Sequence, residues 1–243
     1  MKILYAGDSP AGGPANYLLA ILKSLKADVV HLPPSEKLTP DILQKKFDAF
    51  LLSDFSAKQC PSASQSEISN QVKKGSGLIM IGGWGSFSGP FGGWHKTLIE
   101  ELLPVDCAPH DDRVNFPGGA LVAVKTKHTL LNQLSFEKAP VICGLNKISP
   151  KPNSQVLLTA KKIISDGKKI SFQSAEYPLL VVNKSPKLKT VAFATDAAPH
   201  WCGGLVDWGS RSCKLPVNKT IRVEVGDMYV RFFATLIRWL ASK

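Results

Sequence analysis

The chain has 243 residues, 44% of them hydrophobic and 20% charged, with a formal net charge of +11. That length and apolar content suit one substantial core, read as a single domain over residues 1–243. No apolar run approaches the roughly 18 residues that span a bilayer, and the start turns acidic at Asp8, too soon for a signal peptide; this reading expects no membrane partner and a cytoplasmic location.

Five cysteines, Cys60, Cys107, Cys143, Cys202 and Cys213, form no C-x-x-C pair and indicate neither a disulfide framework nor a zinc knuckle. The positive charge resides mostly in scattered lysines, in pairs such as Lys45-Lys46, Lys73-Lys74, Lys161-Lys162 and Lys168-Lys169, each beside an apolar run. A surface that tracks phosphates more often carries arginine interleaved with aromatics. The pattern therefore reads as a solvated basic surface rather than a nucleic-acid site, with anionic small molecules left open.

In chain order, residues 2–6 form a short apolar run that ends in Gly7-Asp8-Ser9-Pro10. Gly12-Gly13-Pro14 then leads into an apolar-periodic stretch at 17–25, so the order is strand, loop, helix. A second strand at 28–32 stops at Pro33-Pro34, and a helical stretch at 40–46 precedes a third, wholly apolar strand at 47–54. Residues 66–74 read as a helix capped by Ser66 and closed by Gly75, followed by a fourth strand at 77–83. Four such units predict a doubly wound, mostly parallel α/β sheet. Ligands of these sheets bind beyond the carboxyl ends of the strands, here after Asp8, after Asp54 and over residues 82–88.

Beyond residue 105 the runs at 121–124, 156–158, 179–182 and 191–194 are short and broken by Pro, Gly and Asn. They predict extra strands, several antiparallel, added to the same sheet. The chain closes on a helix at 228–241 with Val230, Phe233, Ile237 and Leu240 on one face.

Two segments stand out. Gly82, Gly83, Trp84, Gly85 and Ser86 directly follow a buried strand, the pattern of a sharp strand-to-helix turn that exposes a side chain above the sheet; His95 closes the segment. The alternative is a glycine-rich loop whose Trp84, Phe87 and Trp94 fill core or subunit contacts. In the second, Asp196, His200 and Trp201 follow the run at 191–194. Asp196 there orients His200 as a general base, or instead caps the loop beside a half-buried imidazole. His95, Asp196 and His200 with Asp8 or Asp54 suit a divalent ion in type but not in spacing, so neither a metal nor a cofactor is expected.

Residues 77–89, the stretch Gly93-Trp94-His95 running to Val105, Pro199-His200-Trp201 and the ending 229–240 resemble the putative glutamine amidotransferase-like family. That family is akin to ThuA-like proteins and shares the fold of flavodoxin and the class I glutamine amidotransferases. The resemblance implies a cysteine nucleophile after the fourth strand and a late His-x-Glu pair. Here Trp84 stands at or near the first position, with Ser86 the only nearby hydroxyl, and the late pair is His200 and Cys202. Glutamine hydrolysis is not expected.

The site expectation is thus His200, Asp196 and Ser86 as catalytic groups, and Asp8, Asp54, Gly83, Trp84, Gly85, Trp94, His95 and Trp201 around a small-molecule, carbohydrate-type ligand. The alternative is a non-catalytic scaffold with Phe91, Trp94 and Trp208 in subunit contacts. A homo-oligomer is expected in both cases.

Overall fold

Strand and helix alternate through the first hundred residues of the computed structural model, which describes residues 1–9 and 13–242. Pro10 and Gly12, placed above in the first strand-to-helix loop, lie outside the described residues. Strand β1 (Lys2–Gly7) leads to helix α1 (Ala15–Ser24), and β2 (Asp28–Leu32) to a short α2 (Pro40–Leu43). Next come β3 (Ala49–Ser53), α3 (Ser62–Lys73), β4 (Gly77–Ile81) and α4 (Leu98–Leu102). Every residue of β3 and β4 is buried, Ser53 included, as their nearly continuous apolar sequences require of parallel strands covered on both faces.

Helix α3 starts four residues before the expected position. Ser66 lies inside it and returns its hydroxyl to the Ser62 carbonyl at 2.9 Å, so Pro61 rather than Ser66 stands at the N-cap. Gly75, at φ +107°, closes the helix as its position predicted.

The second half supplies β5 (Val105–Asp106), β6 (Arg113–Val124), β7 (Val141–Asn146), β8 (Ser149–Pro150), β9 (Ser154–Ser165), β10 (Ile170–Asn183), β11 (Thr190–Phe193), the one-turn helix α5 (Pro199–Cys202), and the hairpin β12 (Ser212–Pro216) and β13 (Arg222–Gly226). Helix α6 (Asp227–Ala241) ends the chain, burying Phe232, Phe233, Leu236, Ile237 and Leu240 against β3, β4 and α1.

Nine strands make one mixed α/β sheet in the order β2-β1-β3-β4-β11-β10-β9-β6-β7. The first five are mutually parallel in the flavodoxin order, and the remaining four join antiparallel. The antiparallel half curls back on the parallel half: the Asn146 N–H at the end of β7 donates to Ala194 O just past β11 at 2.8 Å, and Thr195 Oγ1 donates to Gly144 O at 2.8 Å. Among the described residues no helix is long and apolar enough to cross a membrane.

Candidate functional site

Sheet register determines which side chains meet. Gly7 pairs with Ser53, Ser53 with Ile81, and Ile81 with Phe193, so four parallel strands end in one row. Asp8, Asp54 and Gly82 follow directly, and Asp196 follows three residues past Phe193. The chain crosses from one side of β1 to the other between β2 and β3, so Asp8 and Asp54 flank the point where the winding reverses and a crevice opens. A cavity of about 550 Å³ lies there, with Asp8, Asp54, Asp196, Trp84, His200 and Trp201 among its lining residues.

Asp8 and Asp54 both hold left-handed backbone, φ +45° and +52°, which Asp tolerates better than most residues because its short polar side chain bonds locally. Tyr5 donates its hydroxyl to Asp8 Oδ2 at 2.7 Å. Asp8 Oδ1 is buried and makes no hydrogen bond among the described residues. Burial pushes the Asp8 carboxyl up to about 7, the Tyr5 and Ser53 hydroxyls oppose this, and the negative charge of Asp54 adds to it. Asp196 is driven the same way by burial first and by the charge of Asp8 second, against the Ala198 N–H that donates to its Oδ1 at 2.9 Å. Burial also raises Asp54, opposed by the Gly85 N–H and by the charge of His200. The Asp196 carboxylate turns to its own loop, on the Ala198 N–H, and makes no hydrogen bond to His200 among the described residues.

The glycines after β4 let this wall close around Asp54. Gly85 donates its N–H to Asp54 Oδ1. A Cβ on Gly83, at φ +154°, would stand 2.5 Å from the same oxygen, and one on Gly85 would stand 2.8 Å from the Asp54 backbone. The segment is not a sharp strand-to-helix turn: α4 begins only at Leu98, and the intervening residues are successive turns. Trp84 stands at the mouth, 42% exposed, with its ring 6.3 Å from that of His200 and the Arg113 guanidinium 4.4 Å from its centroid. Trp201 packs on Gly144 and donates Nε1–H to Asn115 Oδ1 at 2.9 Å.

Four residues of the sequence reading lie elsewhere. Ser86 is 1% exposed, with its hydroxyl donating to Ile81 O and accepting from the Asp54 N–H, so it is a strut inside the wall. Gly83 is locked behind the wall by Asn146, whose Oδ1 accepts the Gly83 N–H at 2.9 Å. Trp94 is fully buried with Nε1–H on Phe55 O at 2.8 Å, and His95 Nδ1 lies 3.0 Å from Cys107 O and 3.6 Å from Glu100 Oε1. Trp94 and Trp208 are thus core residues of this chain, whereas Phe91 is 66% exposed at the cavity rim.

Sequence reading missed Asn146 and Asp112. Asn146 Nδ2 donates to Asp112 Oδ1 at 2.6 Å, and Asp112 Oδ2 accepts the Ser88 N–H at 2.9 Å, a buried chain that fixes the loop after β4. Nothing in the local sequence marks either residue, because both act across the curl of the sheet.

Among the described residues no cysteine lines the cavity. Cys202 is fully buried, and burial, then the charge of Asp196, holds its thiol far above the ordinary range. Among the described residues no three His, Cys, Asp or Glu side chains are placed to share an ion. A cleft of about 520 Å³ at the opposite end of the sheet gathers Lys46, Lys73, Lys74, Lys187 and Lys189.

Fold and crevice together define an α/β protein wound like flavodoxin, with its strand-end cavity closed on one side by an antiparallel extension. The chain belongs to the putative glutamine amidotransferase family, whose model matches residues 13–221. Among solved structures it is similar to the cytoplasmic protein STM1381 of Salmonella typhimurium LT2, at 27% identity over 84% of this chain and 91% of that one, with a TM-score of 0.66. It also resembles the cytoplasmic protein STM3548 of Salmonella typhimurium, at 22% identity over 98% of each chain and a TM-score of 0.72. A ThuA-like protein from Parabacteroides merdae ATCC 43184 shares the fold at 14% identity, TM-score 0.59, over 99% of this chain and 90% of that one. No curated protein matches the chain.

Proposed function

We propose that this protein binds a small polyhydroxylated ring, of carbohydrate type, in the strand-end cavity, and that it does not hydrolyse glutamine. The observation that carries the reading is the meeting of Asp8, Asp54 and Asp196 with the indoles of Trp84 and Trp201 around one cavity of about 550 Å³. Carboxylates accept hydrogen bonds from hydroxyls, and indole faces cover the apolar face of a ring. His200 is the group placed for proton transfer, with Asp54 as its electrostatic partner. The two Salmonella neighbours are described as cytoplasmic proteins, and the five cysteines are all free, in keeping with a reducing compartment.

Tryptophan fluorescence titrated with a panel of monosaccharides and disaccharides tests the reading. Saturable quenching by at least one sugar, weakened about tenfold or more in Trp84→Ala and His200→Ala, is the expected result. Quenching unaffected by both substitutions would rule the cavity out.

A second reading, association between copies of the chain, is favoured by the tip of the β9–β10 hairpin, where Ile164, Ile170 and Phe172 are 45%, 67% and 50% exposed.

A further inference from the structure

We propose that the ligand of the strand-end cavity carries a positively charged nitrogen, a protonated amine or a guanidinium, seated against Asp8, Asp54 and Asp196; this rests on the reading of that cavity as a ligand site.

The first support is the contrast between the cavity and the rest of the chain. The protein carries 30 Lys and Arg against 19 Asp and Glu, yet among the described residues three carboxylates line this cavity and no Lys or Arg does, the Arg113 guanidinium at the mouth lying on the Trp84 ring. A basic protein that needed only a neutral sugar would have no reason to concentrate unpaired carboxylates at one point, where they repel one another and resist ionisation.

The second support is a buried acceptor without a donor. Asp8 is 3% exposed, it lines the cavity, and its Oδ1 meets no hydrogen-bond geometry among the described residues; its Oδ2 accepts from Tyr5, and the neighbouring Ser53 hydroxyl, which also makes no bond, opposes the rise of the carboxyl without satisfying that oxygen. Leaving such an oxygen unmet costs about 1–3 kcal/mol, which an N⁺–H donor of the ligand would recover with a charge-assisted bond. The same oxygen would repel an anion.

The third support is the aromatic rim. Trp84, Trp201 and Phe91 line the same space, and aromatic rings attract a cation through their quadrupoles, as the Trp84 ring does the Arg113 guanidinium 4.4 Å from its centroid. Helix α1 begins at this cavity, and the positive end of a helix ordinarily favours anions. Among the described residues its first N–H groups are engaged, Ala15 on Ser9 O, Asn16 on Gly13 O and Tyr17 on Pro14 O.

The test compares three rings of one shape that differ only in charge: cyclohexylamine, cyclohexanol and cyclohexanecarboxylate, each titrated at neutral pH onto the whole chain and followed by saturation-transfer NMR and by the fluorescence of Trp84. Cyclohexylamine is expected to bind about tenfold or more tightly than cyclohexanol, with no binding of the carboxylate. Asp8→Asn should reduce the amine to the level of the alcohol, and Asp54→Asn, whose side-chain oxygen still accepts the Gly85 N–H, gives the same readout if Asp8→Asn fails to fold. Equal binding of amine and alcohol would overturn the cation inference while leaving the cavity as a ligand site. An amine preference that survives both substitutions would overturn it by placing the amine elsewhere. Failure of all three rings to bind would overturn both readings.

Discussion

Tyr5 and Asp8 lie three residues apart on β1 and its exit, and their side chains meet at 2.7 Å with the tyrosine hydroxyl donating to Oδ2. This contact turns the carboxylate so that one oxygen is satisfied by the strand beneath it and the other is left unmet beside the cavity. Both groups are buried, and burial raises the pKa of each.

Stability should therefore fall as pH rises through the range in which Asp8 titrates. In the unfolded chain the carboxyl ionises near its ordinary 3.8, whereas in the folded chain it holds its proton up to about 7. Between those values the folded state binds more protons, so the destabilisation is absent below the unfolded value, grows across the window and is complete above the folded one. Asp8→Asn removes the titration and keeps an oxygen for Tyr5. The variant should exceed the parent in urea denaturation at pH 8 by on the order of 1–3 kcal/mol, and the gap should close toward pH 4. An equal change at both pH values would contradict this account.

Glutamine should release no ammonia in the presence of this protein. Cys202, the thiol nearest in sequence to His200, is sealed in the core, and Cys60, also buried, is pushed up to about 12. A coupled ammonia assay on the parent and on Cys202→Ala should give the same background rate. Release above background that disappears in the variant would refute the prediction.

Asn146→Ala should loosen the loop after β4. It strands the buried Gly83 N–H and leaves Asp112 Oδ1 without the Asn146 amide, a loss of roughly 2–4 kcal/mol. Chemical denaturation measures the loss, and hydrogen exchange should show faster opening at Gly83 and Ser88 than in the core strands. Unchanged protection there would deny Asn146 its positioning role.

Gly144→Ala should disturb the cavity from behind. The added Cβ would stand 2.5 Å from the Trp201 ring, so the indole must shift and its bond to Asn115 must lengthen. We expect a stability loss of about 1–3 kcal/mol with a matching drop in ligand affinity. A variant of parental stability whose structure shows Trp201 in place would count against the prediction.

What the sequence determined by itself was the parallel half of the sheet and its strand ends. Buried parallel strands are largely apolar, so the runs that became β1, β3 and β4 are legible as such without coordinates, the run of β11 was legible only as one of the added strands, and Asp8, Asp54 and Asp196 are conspicuous as carboxylates after them. The family resemblance, carried by the segments around Trp84, His200 and the last helix, pointed to the same fold. Only the tertiary structure decided which of these residues share a space. Register aligns the ends of β1, β3, β4 and β11, and the curl of the antiparallel strands brings Asn146 and Gly144 of β7 to the end of β11, a relationship with no local signature because it spans about fifty residues. Ser86, Trp94 and His95 looked equally eligible in a glycine-rich segment, yet successive turns point each of them into its own hydrogen bonds rather than into the cavity, since the direction of a side chain in a loop is set by φ and ψ, which residue identity constrains only weakly outside glycine and proline.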